Sequence, residues 1–368
     1  MKLGVPREIK RHEYRVGMTP HSVKAYVKSG HQVLVEKAAG VGSGYDDAEY
    51  AAAGAQLVAD RMELFKQSEM IVKVKEPLPE EYSLFHPGQI LYTYLHLAAS
   101  RDLANALIQK KIAGIAYETI ELPDQSLPCL TPMSEIAGRL SVQEGAKYLE
   151  KEFGGRGILL GGVPGVQRGK VGILGGGVVG TNACKIAVGI GANVTVLDIN
   201  AKRLAYLDDI FGSSITTLYA TEANIEYVLR ESDIVIGAVL VPGETAPRLI
   251  TRKHLSIMQP GAVIVDVAID QGGCAETSRP TTHDDPIYIV DNVVHYCVAN
   301  MPGAVARSST IALTSVTLPY GLQIATQGLQ AAARASEALR RGINTIDGAC
   351  VHPGVAKSCG LPYTEYRV

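Results

Sequence analysis

The 368-residue chain has no tryptophan, only four phenylalanines and no excess of basic residues, with 35 lysines and arginines against 37 aspartates and glutamates. A formal charge of −2 argues against a broad basic surface, so we expect no nucleic-acid partner. Apolar runs stay far below the roughly 20 residues of a membrane helix, and the first residues do not resemble a secretory signal. We therefore expect a cytoplasmic protein with no membrane partner.

Cysteine is also scarce. The six cysteines are scattered along the chain and none forms a C-x-x-C pair. This spacing disfavours a zinc site or thioredoxin-like chemistry, and we expect reduced thiols. The length itself is typical of about two domains.

Alternating strand-like and helix-like segments divide the chain into three predicted regions. Residues 1–128 and 129–306 each alternate short β-branched runs with helical stretches, whereas residues 307–368 have helical spacing. The predicted strands are His31–Glu36, Met70–Lys75, Gln89–Leu95, Val171–Leu174, Val194–Leu197, Ile234–Val239, Ala262–Val267 and Ile287–Val290. The main predicted helices are Thr19–Ser29, Asp102–Lys111, Ser134–Phe153 with Ser134 as its N-cap, Ser309–Tyr320 and Leu322–Arg341.

This alternation predicts an α/β protein with two parallel sheets. The last region is too short for a sheet of its own, so we expect it to pack on the first region. The domain at residues 129–306 would then be inserted in a discontinuous domain made of residues 1–128 and 307–368.

The most specific motif lies between a predicted strand and a predicted helix. Gly175, Gly177 and Gly180 form G-x-G-x-x-G between Val171–Leu174 and the apolar stretch Val178–Ile190. In dinucleotide-binding folds these glycines allow a tight turn, close approach of the pyrophosphate and close packing of helix on strand. The N–H groups at the helix start would face the phosphates.

Asp198 is a candidate for the acid that binds the ribose in dinucleotide-binding folds. Asp198 ends the next predicted strand, near the spacing of roughly 20 residues at which an acid accepts hydrogen bonds from a ribose. It would also repel a 2′-phosphate, which favours NAD over NADP. Arg203 lies close by and is the reason to keep NADP as an alternative, because an arginine can accommodate that phosphate.

Ligands of such sheets sit outside the carboxyl ends of the strands. We therefore expect further cofactor contacts from the helix start and from the segments that follow the later strands. These candidates are Val178, Val179, Val239, Leu240, Val267, Ala268, Ile269, Asp270, Val298, Ala299, Asn300 and Met301.

Several long motifs resemble the L-alanine dehydrogenase family, which also includes lysine-forming saccharopine dehydrogenases and the soluble nucleotide domain of proton-translocating transhydrogenase. The resemblance spans nearly the whole chain. Its motifs, in family order, are GVPREIKRHEYRVGMTP, VKVKEP, YTYLHLA, LTPMSEIAGRLSVQEGAKYLE, VGILGGGVVGTNA, VIVDVAIDQGG and HYCVANMPGAV.

The resemblance implies a substrate domain built from both chain ends around an inserted NAD-binding domain, both Rossmann-like and doubly wound. It implies NAD-linked conversion of L-alanine and water to pyruvate and ammonium, and the reverse. It further suggests a homohexamer. The two domains are expected to meet at a cleft that holds the nicotinamide ring and a small zwitterion.

The resemblance also assigns roles to single residues. Arg15 matches the family's carboxylate-binding site, and a guanidinium can hold a carboxylate by two hydrogen bonds. Lys75, predicted on the same strand face as Lys73, would bind the substrate carboxylate or keto oxygen. His96 and Asp270 are the acid–base candidates, and the sequence does not divide that role between them. Asp266, inside an apolar run, is expected to be structural.

Other matched positions lie near the cofactor. Ser134 and Arg203 resemble positions near its phosphates and adenosine, and Asn300 and Met301 resemble positions near the nicotinamide. Ala220 departs from the family, because many relatives carry a serine there, and a hydrogen bond to the adenosine would be lost. Some relatives hold magnesium through acid and histidine side chains of the late helix. This chain has Gln323 and Gln327 in that area, so we predict no metal.

Three other functions stay open at this point. The substrate could be a larger amino acid of the lysine or saccharopine type, since a methylene is worth only ~1–3 kcal/mol of discrimination. The chain could instead be a transhydrogenase-like nucleotide-binding subunit without substrate chemistry. It could also be a regulatory NAD sensor.

Overall fold

A computed structural model describes residues 1–239 and 246–367 of the chain. The chain divides into two compact units. The first unit combines Met1–Met133 with Gly303–Val368, and the second unit is Ser134–Pro302. Both units are built from a largely parallel sheet with helices, which confirms the predicted α/β class.

Fifteen strands lie within the described part of the chain. Most are four to six residues long and largely apolar, as expected of strands in parallel sheets. They are β1 Lys2–Val5, β2 Gln32–Glu36, β3 Gln56–Val58, β4 Met70–Val72, β5 Ile90–Thr93, β6 Ala113–Ala116, β7 Lys170–Leu174, β8 Asn193–Asp198, β9 Ile215–Tyr219, β10 Ile234–Gly237, β11 Val263–Asp266, β12 Ile287–Val290, β13 Val293–Tyr296, β14 Ile343–Ile346 and β15 Ala349–Cys350.

The α-helices of the described residues lie between these strands and after the last one. They are α1 Pro20–Lys28, α2 Asp47–Ala52, α3 Arg61–Gln67, α4 Arg101–Gln109, α5 Thr131–Tyr148, α6 Val178–Ile190, α7 Ala201–Phe211, α8 Glu222–Glu231, α9 Ala306–Gln327, α10 Leu329–Ala335, α11 Glu337–Gly342 and α12 Pro353–Cys359. Short 3₁₀ turns complete several connections.

The sheet of the first unit has the order β15-β14-β6-β5-β4-β1-β2-β3. Its strands β1 to β6 are parallel, and their order reverses between β1 and β4. This is the doubly wound arrangement, in which ligands bind outside the carboxyl ends of the strands near the reversal.

The second unit repeats this arrangement. Its sheet has the order β12-β13-β11-β10-β7-β8-β9, and the chain reverses direction of winding between β7 and β10. Only β12 among its described strands runs antiparallel, on the edge beside β13. The predicted pair of doubly wound domains is therefore confirmed.

The sequence predicted only helices for the last region of the chain, but this region also contains the strands β14 and β15. Strand β14 pairs antiparallel with β6, and β15 pairs antiparallel with β14, so the chain end extends the first sheet. The side-chain oxygen of Thr345 accepts a hydrogen bond from Gly114 N–H and donates to the carbonyl of Ile112. These contacts fix the added edge on the first unit.

Candidate active site

The first unit gathers polar side chains at one edge of its sheet. Lys75 follows β4, His96 follows β5 and Glu118 follows β6, so all three stand at the carboxyl ends of adjacent parallel strands. Arg15 lies on the segment after β1, the strand next to β4. This edge is the one at which doubly wound sheets bind ligands.

Arg15 is almost entirely buried and is held by a neighbouring acid. Its Nε donates to Oε1 of Glu13 at 2.7 Å, and its Nη2 donates to Oε2 at 2.5 Å. Burial by itself would lower the pKa of the guanidinium, but the hydrogen bonds and charge of Glu13 raise it above its usual value. Nη1 points to Sδ of Met133 at 3.1 Å. A thioether is a weak acceptor, so a substrate carboxylate would be a stronger partner for this edge.

Lys75 and His96 lie together. Nζ of Lys75 is 3.4 Å from Nε2 of His96. An ammonium group can only donate, so in this arrangement Nε2 accepts and the ring proton is assigned to Nδ1. The ring of Tyr94 is stacked with that of His96, with centroids 5.8 Å apart.

Lys73 has a different environment from Lys75, although the sequence predicted a shared strand face. Strand β4 ends at Val72, so the alternation does not continue to Lys75. Lys73 is completely buried, and its Nζ lies 3.1 Å from both Glu8 and Glu81. Burial alone would lower its pKa, but the two carboxylates raise it above the usual value. Lys73 therefore serves the packing of the unit.

Glu76 brings a negative charge close to the Lys75 and His96 pair. Burial would raise the pKa of this carboxyl, but the charge of Lys75, the electrostatic interaction with His96 and the hydrogen bond from Lys10 lower it below its usual value. Its Oε2 is buried and has no hydrogen-bond partner among the described residues.

His96 has a left-handed backbone conformation, with φ 48° and ψ 34°. Its flanking residues Leu95 and Leu97 are buried, whereas His96 itself is exposed. The Glu118 carboxylate accepts the N–H of His96 at 2.6 Å and the N–H of Leu95 at 3.2 Å. The turn therefore sends the imidazole outward while both leucines enter the core.

The second unit contains the glycine-rich turn where the sequence predicted it, between β7 and α6. Gly175 has φ 101°, which a larger residue rarely adopts. A Cβ on Gly180 would lie 1.9 Å from the carbonyl oxygen of Gly175, so only glycine permits this packing of helix on strand. Among the described residues, a Cβ on Gly177 would meet nothing within 4 Å. Their packing therefore does not require glycine at 177, a position at which dinucleotide-binding folds let the pyrophosphate approach the backbone.

Asp198 ends β8 beside this turn. Its Oδ2 accepts the N–H of Gly176 at 2.7 Å, and its Oδ1 accepts the N–H of Asn200 at 2.8 Å. Arg203 donates to the carbonyls of Gly176 and Gly177 and to the hydroxyl of Thr181. Arg203 is thus engaged in holding the glycine-rich turn.

The remaining predicted cofactor residues follow the carboxyl ends of the second sheet. Val178 and Val179 begin α6, Ala220 follows β9, and its N–H donates to the carbonyl of Asp198. After β10, β11 and β13 come Val239, the segment Val267, Ala268, Ile269 and Asp270, and the segment Val298, Ala299, Asn300 and Met301. Leu240 lies outside the described residues.

Asp270 and Asp266 differ sharply in setting. Asp270 is exposed on a short 3₁₀ turn, Val267–Gln271. Asp266 is fully buried and accepts hydrogen bonds from Ala268 N–H and Cys274 N–H, among others. Asp266 therefore caps the turn that presents Asp270.

The sequence predicted Ser134 as the N-cap of a helix, and this prediction is wrong. Helix α5 begins at Thr131, which places Ser134 inside its first turn. Pro132 explains the earlier start, because proline fits the first turn of a helix.

Some residues of the site escaped the sequence reasoning. Glu13 holds Arg15, Glu118 holds the His96 turn, and Tyr94 stacks on the imidazole. One signal was present for Glu118, an acid directly after the apolar run that forms β6. No sequence pattern indicated the role of Glu13, although its partner Arg15 is only two positions away.

Three further observations concern ligands, thiols and membranes. In the described residues, no group of three or more histidine, cysteine, aspartate or glutamate side chains is placed to hold a metal ion. All six cysteines are buried and reduced, and burial raises the pKa of the Cys129 thiol to about 12. Over the described ranges, no helix is both long and apolar enough to span a membrane.

The doubly wound sheet, the glycine-rich turn and the acid at the end of β8 define a dinucleotide-binding α/β protein. Two family models match the chain. Residues 4–137 match "Alanine dehydrogenase/PNT, N-terminal domain", and residues 141–353 match "Alanine dehydrogenase/PNT, C-terminal domain". The chain belongs to the alanine dehydrogenase/PNT family, as the sequence motifs predicted.

Individual proteins agree with this assignment. The chain is 58% identical over 365 residues to an alanine dehydrogenase of Methanococcus maripaludis, covering 99% of this chain and 98% of that protein. It superimposes on a solved L-alanine dehydrogenase with a TM-score of 0.95 and 54% identity, covering 97% of this chain and 99% of the other. A transhydrogenase from Sinorhizobium meliloti shares the fold, with a TM-score of 0.82, 24% identity and coverage of 96% and 99%. Membership of this family implies a nicotinamide cofactor.

Proposed function

We propose that this protein is an NAD-dependent L-alanine dehydrogenase, which converts L-alanine and water to pyruvate and ammonium and catalyses the reverse reductive amination. One observation carries the proposal: a buried arginine and a lysine–histidine pair stand at the ligand-binding edge of the first sheet. The identity of 58% to a named alanine dehydrogenase supports the choice of substrate. A larger amino acid or a transhydrogenase-like role is not favoured, because named relatives at 56–58% identity over nearly the full chain are alanine dehydrogenases.

Arg15 and Lys75 are the proposed substrate-binding residues, in the first unit. The Nη1 edge of Arg15 would replace its contact with Met133 by hydrogen bonds to the substrate carboxylate. Glu13 fixes the plane of the guanidinium from the opposite edge. Lys75 would donate to the carboxylate or to the oxygen that becomes the keto group, where negative charge develops.

His96 and Asp270 are the proposed acid–base residues. When bound, the nicotinamide ring supplies the acceptor for the hydride that leaves Cα of alanine. Nε2 of His96 can take a proton from the substrate ammonium group and release it to solvent, and can then take a proton from the water that adds to the imine carbon and pass it to the nitrogen that leaves. It becomes available for this proton when Lys75 donates to the substrate oxygen instead of to Nε2. Asp270 would pair with the ammonium group or orient the water.

The second unit is the proposed cofactor domain, and NAD is the proposed cofactor. Two contacts support NAD over NADP. Asp198 places a carboxylate at the end of β8, where it can accept from a ribose and would repel a 2′-phosphate. Arg203, the residue that could offset this repulsion, is already bound to the glycine-rich turn.

The other cofactor contacts are proposals of the same kind. They comprise Ser134, Gly175, Gly177, Gly180, Val178, Val179, Ala220, Val239, Leu240 and the segments 267–270 and 298–301. We further propose that the protein acts in the cytoplasm as a homo-oligomer, with the hexamer that the family resemblance suggests. Sedimentation of the purified protein would measure that assembly.

An absorbance assay tests the central proposal. Purified protein is mixed with NAD and L-alanine, and reduced nicotinamide is followed near its absorbance band. We expect turnover with alanine well above that with serine, glycine or lysine, and with NAD above NADP. Preferred turnover of lysine would indicate a saccharopine-type enzyme, and NAD binding without turnover of any amino acid would indicate a sensor or a transhydrogenase-like subunit.

A further inference from the structure

The turn at His96 has an unusual requirement. Strand β5 ends at Thr93, and the backbone then enters the left-handed region at His96. A histidine adopts that region only where surrounding contacts compensate for the strain. Those contacts must also satisfy the N–H groups of Leu95 and His96, which have left the ladder of the sheet.

One carboxylate meets both requirements. Glu118 stands on the 3₁₀ turn Tyr117–Thr119 after β6, the strand paired with β5. Its Oε1 accepts both N–H groups, at 2.6 Å from His96 and 3.2 Å from Leu95, and its Oε2 lies 3.3 Å from Leu95 N. Hydrogen bonds to an ionised acceptor are about twice as strong as neutral ones.

Three neighbouring side chains flank the imidazole. Leu95 and Leu97 are buried on either side of it, and the ring of Tyr94 stacks on its face. Cys359 Sγ also contacts the carbonyl of Leu97. Glu118 thus accepts the backbone N–H groups of the turn on which the imidazole lies 3.4 Å from Lys75.

We propose that Glu118 is a positioning residue for the reaction: through the backbone of His96 it aims the imidazole at Lys75 and at the substrate. This inference rests on the proposed function and adds a residue to it. Glu118 itself takes no proton from the substrate. Its loss would allow the turn to relax and the imidazole to leave its place, while NAD binding in the second unit stays intact.

Substitution with a graded series tests this role. Glu118→Ala removes both hydrogen bonds, whereas Glu118→Gln keeps an amide oxygen that can accept the N–H of His96. We expect kcat to fall roughly 10- to 100-fold in Glu118→Ala and much less in Glu118→Gln, with KM for NAD unchanged. Glu121→Gln is the matched control, because Glu121 is a nearby carboxylate that pairs with Arg341 instead. Equal losses in the alanine and glutamine variants would overturn the inference.

A double-mutant cycle shows whether Glu118 acts through His96. If it does, adding Glu118→Ala to His96→Ala lowers kcat no further than His96→Ala alone. A multiplicative loss would show that Glu118 acts independently of the imidazole, which contradicts the proposal.

Amide exchange provides a readout that needs no turnover. In protein labelled with [15N]histidine, the His96 amide is assigned by its absence from His96→Ala, and its hydrogen exchange should accelerate at least tenfold in Glu118→Ala. An unchanged rate would overturn the inference even if alanine is the substrate. Conversely, wild-type protein without alanine-dependent NAD reduction would refute the proposed function, while the exchange rate would still decide whether Glu118 holds the turn. Thermal unfolding of each variant identifies any that fails to fold.

Discussion

Nζ of Lys75 lies 3.4 Å from Nε2 of His96. The two residues follow the adjacent strands β4 and β5, and both belong to the proposed substrate site. In the proposed reaction, Lys75 would supply a cation where negative charge develops on the substrate, and His96 would supply the base that takes protons from it.

His96→Ala tests the acid–base assignment. We expect turnover to fall by roughly 10²–10⁴, the usual range for loss of general acid–base catalysis, with NAD affinity unchanged. Steady-state kinetics and NAD titration measure the two quantities. His21→Ala, which removes an exposed histidine of α1, is the control. Near-normal turnover of His96→Ala would remove His96 from the mechanism.

Arg15→Lys tests the carboxylate site while keeping the charge. Lysine cannot reproduce the planar fork that binds Glu13 on one edge and would bind a carboxylate on the other. We expect KM for alanine and pyruvate to rise roughly 10- to 100-fold, with KM for NAD unchanged. Arg11→Lys, a change on the same segment, should leave both constants near wild type. An unchanged KM for alanine in Arg15→Lys would place the carboxylate elsewhere.

Asp198→Asn tests the choice of cofactor. The amide oxygen can still accept a backbone N–H, but the charge that would repel a 2′-phosphate is gone. We expect NAD affinity to fall roughly 10-fold and the preference for NAD over NADP to shrink. Kinetics with both cofactors check this, with Asp209→Asn on α7 as the control. A preserved preference would mean that the ribose is recognised by another residue.

Much of the sheets could be predicted because parallel strands covered on both faces are short apolar runs, and β7, β8, β10 and β11 all fall within or near predicted runs. Strands β14 and β15 could not. Strand β14 directly follows the helix Glu337–Gly342, and its partner β6 lies more than 200 residues away in the sequence. Such pairing is decided by tertiary contacts and leaves no local periodicity.

The candidate site could be predicted from the sequence only in part. The glycine-rich turn and Asp198 follow from physical demands of the fold, so the sequence alone indicated them. Arg15, Lys75 and His96 follow only from the family resemblance, because a single arginine, lysine or histidine has no local signature. Glu118 acts on backbone N–H groups of a left-handed turn at a histidine, and that turn is not encoded by any glycine.

Lys73→Met tests the buried charge cluster beneath the site. Lys73 lies between Glu8 and Glu81, and its removal leaves buried carboxylates without that cation. We expect the free energy of unfolding to fall by about 3–5 kcal/mol. The double variant Lys73→Met with Glu8→Gln should recover part of this loss, because Arg61 still pairs with Glu81. Chemical denaturation measures both, and no recovery would show that Glu8 is not the destabilised group.

Glu76→Gln tests the pH dependence of stability. The pKa of Glu76 is lower in the folded protein than usual, since Lys75, His96 and Lys10 outweigh the effect of burial. A carboxyl with a lowered folded pKa stabilises the fold above its unfolded pKa and loses that contribution as the pH falls through its folded pKa. We therefore expect wild type to exceed Glu76→Gln in free energy of unfolding at neutral pH. The difference should diminish on acidification below the ordinary pKa of a glutamate. Denaturation series at several pH values measure this, with Glu222→Gln on α8 as an exposed control. A difference that grows on acidification would contradict the lowered pKa of Glu76.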